Sequence, residues 1–163
     1  MSKIRAFLIA AGFSGAVVTG GVFVAEHEGL VLGTYVDPVG ILSACFGQTG
    51  PELALGQRFS EQECLAMLAD DLEVFDRQLT NLVRVPLTDS ERAAYLSFMY
   101  NVGSQNFSDS TLRKKLLRGD RVGACNELSR WVYAKGKKLQ GLVNRREAER
   151  QLCLNELSHV SNH

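Results

Sequence analysis

Residues 26–50 read EHEGLVLGTYVDPVGILSACFGQTG, which places a carboxylate at Glu28, a second at Asp37 and a hydroxyl at Ser43 among glycines and β-branched residues. Glycoside hydrolysis generally uses two carboxyl groups in different environments. One stays protonated to donate to the leaving oxygen, and the other is ionised to handle water or the sugar cation. Gly29 directly follows Glu28, and glycine just past a helical run is a common C-terminal stop. A glutamate in the last turn of a helix faces the negative end of the helix dipole, which favours its protonated form. Glu28 therefore has the character of a general acid. Asp37 precedes Pro38, which biases its backbone to an extended conformation and predicts a turn at Val39–Gly40. A carboxylate on such an exposed turn stays ionised.

The order of these residues adds a second argument. Eight residues separate Glu28 from Asp37, five separate Asp37 from Ser43, and FGQTG follows at 46–50. This resembles the active-site segment of the phage-type lysozymes, glycoside hydrolase family 24, where the third position is Thr and G-H usually follows. The resemblance implies Glu28 as the acid, Asp37 as the partner carboxylate and Ser43 in the place of the Thr, with Gln48 where an imidazole often stands. Serine keeps a hydroxyl to orient water but loses the methyl that restrains its rotamer. Glu26 has the wrong spacing for the acid. YNVG at 100–103, FSDSTLRK at 107–114, RWVY at 130–133 and GLVNRREAER at 141–150 resemble the family's later segments in the right order. Arg145 matches an arginine that approaches the catalytic glutamate in that family, and such a cation would oppose the dipole effect at Glu28. What the family implies is an α+β, mainly α, two-lobed fold with a small β-sheet in the N-terminal lobe. Its activity would be that of a muramidase endolysin that cuts the β-1,4 bond between N-acetylmuramic acid and N-acetylglucosamine in peptidoglycan and lyses the host. It would act as a monomer, without cofactor and with inversion.

The N-terminus is organised differently from the rest. Lys3 and Arg5 precede an uncharged run of 20 residues, Ala6 to Ala25. That length can span a bilayer as a helix, and the flanking charges put the N-terminus inside and the body outside. The run is weakly apolar, since 11 of its 20 residues are Gly, Ser, Thr or Ala. Three readings compete: a cleaved signal peptide, a permanent anchor and an anchor that can leave the membrane. Glu28 lies three residues past Ala25, about 10 Å as extended chain or about 5 Å as helix. A spanning segment would thus hold the acid against the headgroups and keep the enzyme inactive. On escape, its latter part could continue as the helix that ends at Glu28. The arrangement resembles the signal-anchor-release endolysins of lambdoid phages. It divides the chain into an anchor segment, 1–25, and a lysozyme domain, 26–163, held in the host inner membrane and then free in the periplasm. The anchor holds no cysteine, which fits switching by refolding rather than by disulfide exchange.

Four cysteines, Cys45, Cys64, Cys125 and Cys153, are an even count in a chain expected to work outside the cytoplasm, which favours two disulfides. Three pairings are possible; Cys45 with Cys64 and Cys125 with Cys153 gives one bridge per lobe. A metal site is not expected, because no C-x-x-C occurs and the histidines are His27, His159 and His163.

The formal net charge of zero hides an asymmetry. Residues 26–91 carry twelve acids and three bases, whereas residues 111–150 carry twelve bases and four acids. Arg113, Lys114, Lys115 and Arg118 recur at helical spacing beside Leu112 and Leu116, as on the solvated face of an amphipathic helix. No nucleic-acid module is legible. Capping boxes at Ser60–Glu63 and Thr88–Glu91 predict two helices. The first carries the stripe Leu65, Leu68, Leu72, Phe75 and Leu79 and joins the lobes; the second stops at Gly103. Further helices are expected over 110–117, 120–131 and 140–156, with the sheet between Thr34 and Gln48. Two alternatives to hydrolysis stay open. A lytic transglycosylase would need one acid and tolerate loss of Asp37, and a wall-binding membrane protein would need neither.

Overall fold

The computed structural model describes residues 2–157 and is mostly helical, with a small antiparallel sheet. Helix α1 (Lys3–Ala10) and α2 (Gly15–Glu28) come first. The three-stranded sheet β1 (Val31–Val36), β2 (Leu42–Cys45) and β3 (Gln48–Thr49) follows, in the order β1-β2-β3. The long α3 (Glu61–Leu82) leads to α4 (Asp89–Val102), α5 (Ser104–Asp109), α6 (Thr111–Leu117) and α7 (Arg121–Glu127). A 3-10 turn over Leu128–Arg130, the short hairpin β4 (Tyr133–Ala134) and β5 (Lys137–Lys138), and α8 (Gln140–Leu154) complete the described chain.

The uncharged N-terminal run is two helices rather than one, because residues 11–14 turn the chain. Ser14 caps α2 by accepting from the Val17 N–H at 3.4 Å. Among the described residues no helix is long and apolar enough to cross a membrane. Leu8, Val17, Val18, Val24 and Ala25 all lie in the core. Helix α2 packs on α4, and α1 packs on α2 and α3. Two glycines permit this: a Cβ at Gly21 would stand 2.6 Å from the side chains of both Leu8 and Leu72, and one at Gly20 would stand 3.1 Å from the Ala93 carbonyl oxygen. Bare backbone at these positions is what lets the helices close up. Helix α2 runs unbroken from Gly15 to Glu28.

Both capping boxes are present, Ser60 with Glu63 and Thr88 with Glu91. Of the α3 stripe, Leu65, Leu68, Leu72 and Leu79 are fully buried, and Phe75 packs against the core from its edge. Helix α4 is the central rod, with Ala93, Ala94, Tyr95, Leu96, Phe98 and Met99 all buried between α2 and α8. Trp131 meets Phe98 edge-on at 5.3 Å between ring centroids. The helix expected over 120–131 is shorter: Asp120 caps α7, which gives way to the 3-10 turn. The helix expected over 140–156 ends at Leu154. The disulfides join Cys45 to Cys64 and Cys125 to Cys153. The first ties β2 to the start of α3, and the second ties α7 to α8.

Candidate active site

Glu28 is the last residue of α2, and Gly29 ends the helix at φ +75°, with its N–H on the Ala25 carbonyl at 3.0 Å. A positive φ of this kind suits glycine, and the turn presents the Glu28 side chain to the sheet. Its Oε1 accepts from Arg145 Nη1 at 2.6 Å. Its Oε2 accepts no hydrogen bond from the described residues and faces Gly47, where a Cβ would stand 3.1 Å away. One oxygen is thus fixed by a cation and the other is unbonded among the described residues. The side chain is 22% exposed, enough to meet a substrate.

Arg145, on α8, is buried, so it is not the surface charge that its helix composition suggests. Its Nη2 donates to the Ser97 carbonyl at 3.1 Å and its Nε to Glu149 Oε1 at 3.2 Å. These contacts hold the guanidinium in one orientation, and the bidentate-capable fork makes arginine suited to the position.

Asp37 sits in the β1–β2 turn. Its Oδ1 accepts from the Val39 and Ile41 N–H groups at 2.9 and 2.8 Å, and its own N–H donates to the Ile41 carbonyl at 2.9 Å. The turn predicted at Val39–Gly40 is therefore formed, and Asp37 Oδ1 closes it as an Asx turn. Ser43 on β2 is 2% exposed, and its hydroxyl donates to the Ile41 carbonyl at 3.3 Å. Directly across the strand pair from Ser43 stands Tyr35. Burial pushes the Tyr35 phenol up from its ordinary range, and the charges of Glu28 and Asp37 push it further. Both carboxylates therefore lie near enough to act on the Tyr35 hydroxyl. The period-two alternation of a strand relates Tyr35 to Ser43 only once the register is known.

Behind Gly47 lies a clamp that the spacing of Gln48 did not reveal. Gln48 Oε1 accepts from the Phe46 N–H at 2.7 Å, and its Nε2 donates to Tyr100 Oη at 2.7 Å. Tyr100 Oη in turn donates to the Phe46 carbonyl at 2.8 Å. Both polar groups of Phe46 are thereby held, and with them the turn that faces Glu28 Oε2. Burial pushes Tyr100 far up, helped by Asp71 and Glu28. Asp71 on α3 is raised by burial, partly offset by its hydrogen bond from Gln48.

Glu26 is exposed on α2. His27 donates from Nδ1 to the Phe23 carbonyl at 2.8 Å and stacks on the Phe23 ring, outside the site. His159 and His163 lie outside the described residues. Among those described, no three His, Cys, Asp or Glu side chains cluster as metal ligands would.

The chain matches the family model described as phage lysozyme over residues 25–149. It is 45% identical over 127 residues to a SAR-endolysin of Bacteriophage PS119, covering 78% of this chain and 76% of that one. A SAR-endolysin of Bacteriophage PS34 is 40% identical over 157 residues, 93% of this chain and 94% of that one. Among solved structures, the active form of the P1 phage endolysin Lyz superimposes with a TM-score of 0.81 at 25% identity, covering 100% of this chain and 98% of that one. The secreted inactive form of the same P1 enzyme gives a TM-score of 0.60 at 25% identity, over 89% and 97% of the two chains.

Proposed function

This chain belongs to the phage lysozyme family, and from that premise we propose the roles of its site residues and of its N-terminal segment. It is an endolysin, a muramidase that hydrolyses the β-1,4 bond between N-acetylmuramic acid and N-acetylglucosamine in peptidoglycan. In our reading Glu28, protonated on Oε2, gives its proton to the glycosidic oxygen as the bond to the muramic acid C1 breaks. Asp37 stabilises the cationic sugar and takes the proton from the attacking water, whose oxygen forms the new bond to C1. Ser43 orients that water as an acceptor, because its own proton is directed at the Ile41 carbonyl. Arg145 fixes the Glu28 carboxyl.

The observation that supports this most is the asymmetric Glu28 carboxyl, one oxygen on Arg145 and the other unbonded beside Gly47. The test is clearance of a peptidoglycan suspension by purified protein and its E28Q and D37N variants, with product analysis. Loss of activity in both, with reducing-end product, is expected. An active D37N variant releasing anhydro-muramic ends would instead mean transglycosylation, and an inactive wild type would mean wall binding only.

Residues 6–25 are proposed to span the host inner membrane before release, with the N-terminus inside and residues 26–163 outside as the lysozyme domain. The tethered and folded states exclude each other, because the end of α2 that bears Glu28 is built from the same segment. The kinship with SAR-endolysins and the greater likeness to the active P1 form support release into the periplasm; the released enzyme is read as a monomer. Fractionation of a Gram-negative host before and after collapse of the membrane potential tests this. Uncleaved protein should move from membrane to periplasm as activity appears; shortened, active periplasmic protein from the outset would refute it.

A further inference from the structure

Directly behind the proposed acid lies an ionic group that the reaction does not itself use. Glu149 and Arg146 on α8 are both 0% exposed, and Arg146 Nε has no hydrogen-bond partner among the described residues. Ions at that depth add little net stability compared with apolar residues of the same volume, so their presence asks for another reason. Glu149 Oε1 accepts from Arg145 Nε at 3.2 Å and from the Ser97 hydroxyl at 2.7 Å, and Oε2 accepts from Arg146 Nη1 at 2.7 Å. Arg146 also bonds the Asn101 side-chain oxygen and lies 5.0 Å over the Phe98 ring. Burial holds the Glu149 carboxyl above its ordinary range, and Arg146, Arg145 and Ser97 offset this only in part. Every described partner of its oxygens is a donor, so the ionised form fits the site.

We propose that Glu149 is a positioning residue for the acid: it balances the charge of the Arg145–Arg146 pair, so that Arg145 can orient the Glu28 carboxyl without locking it in the ionised form. This rests on the reading of Glu28 as the acid. With Glu28 ionised, two buried guanidiniums and two carboxylates are neutral in sum. With Glu28 protonated, as proton donation requires, one positive charge remains. Without Glu149 the protonated state would face two uncompensated cations. The other groups that face Glu28 do not replace it. Tyr35 on β1 and Tyr100 on α4 are phenols pushed up and therefore neutral. Asp37 stands on the hairpin turn, and Glu26 and His27 on α2 itself are exposed.

The test is the pH profile of kcat/KM for the purified, released full chain, whose alkaline limb follows loss of the acid's proton. Removing a buried charge one guanidinium away moves that limb by about one unit or more. In the isosteric E149Q it should move to lower pH, with activity at neutral pH falling about tenfold. E149D, which keeps the charge, should keep the limb. R146Q, which removes a cation, should move it the opposite way. A folded E149Q with an unmoved limb, or one moved to higher pH as a loosened Arg145 would produce, overturns the proposal. Should E149Q fail to fold, R146Q decides, and an unmoved limb there overturns it equally. E28Q separates the two readings. An active E28Q removes the acid assignment itself, whereas an inactive E28Q beside an unmoved E149Q removes only the role of Glu149.

Discussion

Leu8 offers a direct measure of whether the N-terminal segment is part of the working enzyme. Its side chain is fully buried, and it meets the backbone of Gly21 so closely that a Cβ there would stand 2.6 Å from it. Truncation of a buried leucine to alanine costs about 2–5 kcal/mol, the spread reflecting how far the site collapses. For a chain of this size each kcal/mol lowers Tm by about 2–4 °C. Leu8→Ala should therefore lower the Tm of purified, released protein by about 10 °C. Gly21→Ala alone should destabilise by about 1 kcal/mol: overpacking against Leu8 and Leu72 exceeds the gain in helix propensity. In the double variant the alanine methyl enters space vacated by Leu8. The two effects should therefore add to less than their sum, with a coupling of about 0.5 kcal/mol or more. Thermal melts of the four proteins by circular dichroism give the cycle. A Leu8→Ala protein that melts with the wild type would refute the packing of α1 into the released fold. Strict additivity would refute its close approach to Gly21.

Three further outcomes follow from the same geometry. Tyr100→Phe removes the hydroxyl that joins Gln48 to the Phe46 carbonyl; a loss of about 1–2 kcal/mol in denaturant unfolding is expected, with a fall in kcat as the turn beside Glu28 loosens. Asp71 is raised above its ordinary value, so the folded state holds its proton more tightly than the unfolded chain does, and its ionised form weighs against folding at neutral pH. Asp71→Asn should accordingly raise Tm at pH 7, and the advantage should shrink on acidification and be gone below about the ordinary carboxylate value; a benefit that persists in acid would contradict this. Replacing both Cys45 and Cys64 by serine opens a loop closed over 19 residues and should lower stability by about 3 kcal/mol in equilibrium unfolding.

Much of the fold is local in origin, and for that reason it can be read from order alone. Side-chain caps and i, i+3, i+4 stripes act within a few residues, so α3 begins where Ser60 predicts, and α4 begins and ends where Thr88 and Gly103 predict. Elements with too few residues to show a period were not legible. Helix α5 spans six residues and the β4–β5 strands two each, and such lengths carry no hydrophobic pattern. The site divides in the same way. Glu28, Asp37 and Ser43 were marked by a helix stop, an X-Pro turn and a spacing. Tyr35, Gly47 and Tyr100 join them through strand register and packing across lobes, which no local pattern encodes.

The charged residues of α8 and the weakly apolar N-terminus define the limit. RREAER at 145–150 has the composition of a solvated helix face, and only the packing of α8 against α4 makes Arg145, Arg146 and Glu149 an interior network. Ala6 to Ala25 is uncharged and long enough for a bilayer, and its side chains are small enough for a core, so composition by itself leaves both environments open. Sequence alone determined the family and the caps and singled out the two candidate carboxylates, because those depend on residue identity at short range. Tertiary structure decided where the N-terminal segment rests and how the Glu28 carboxyl is held. Clearances such as those of Gly20 and Gly21, and the contact of Glu28 with Arg145, arise between residues that are neighbours only after the chain has folded.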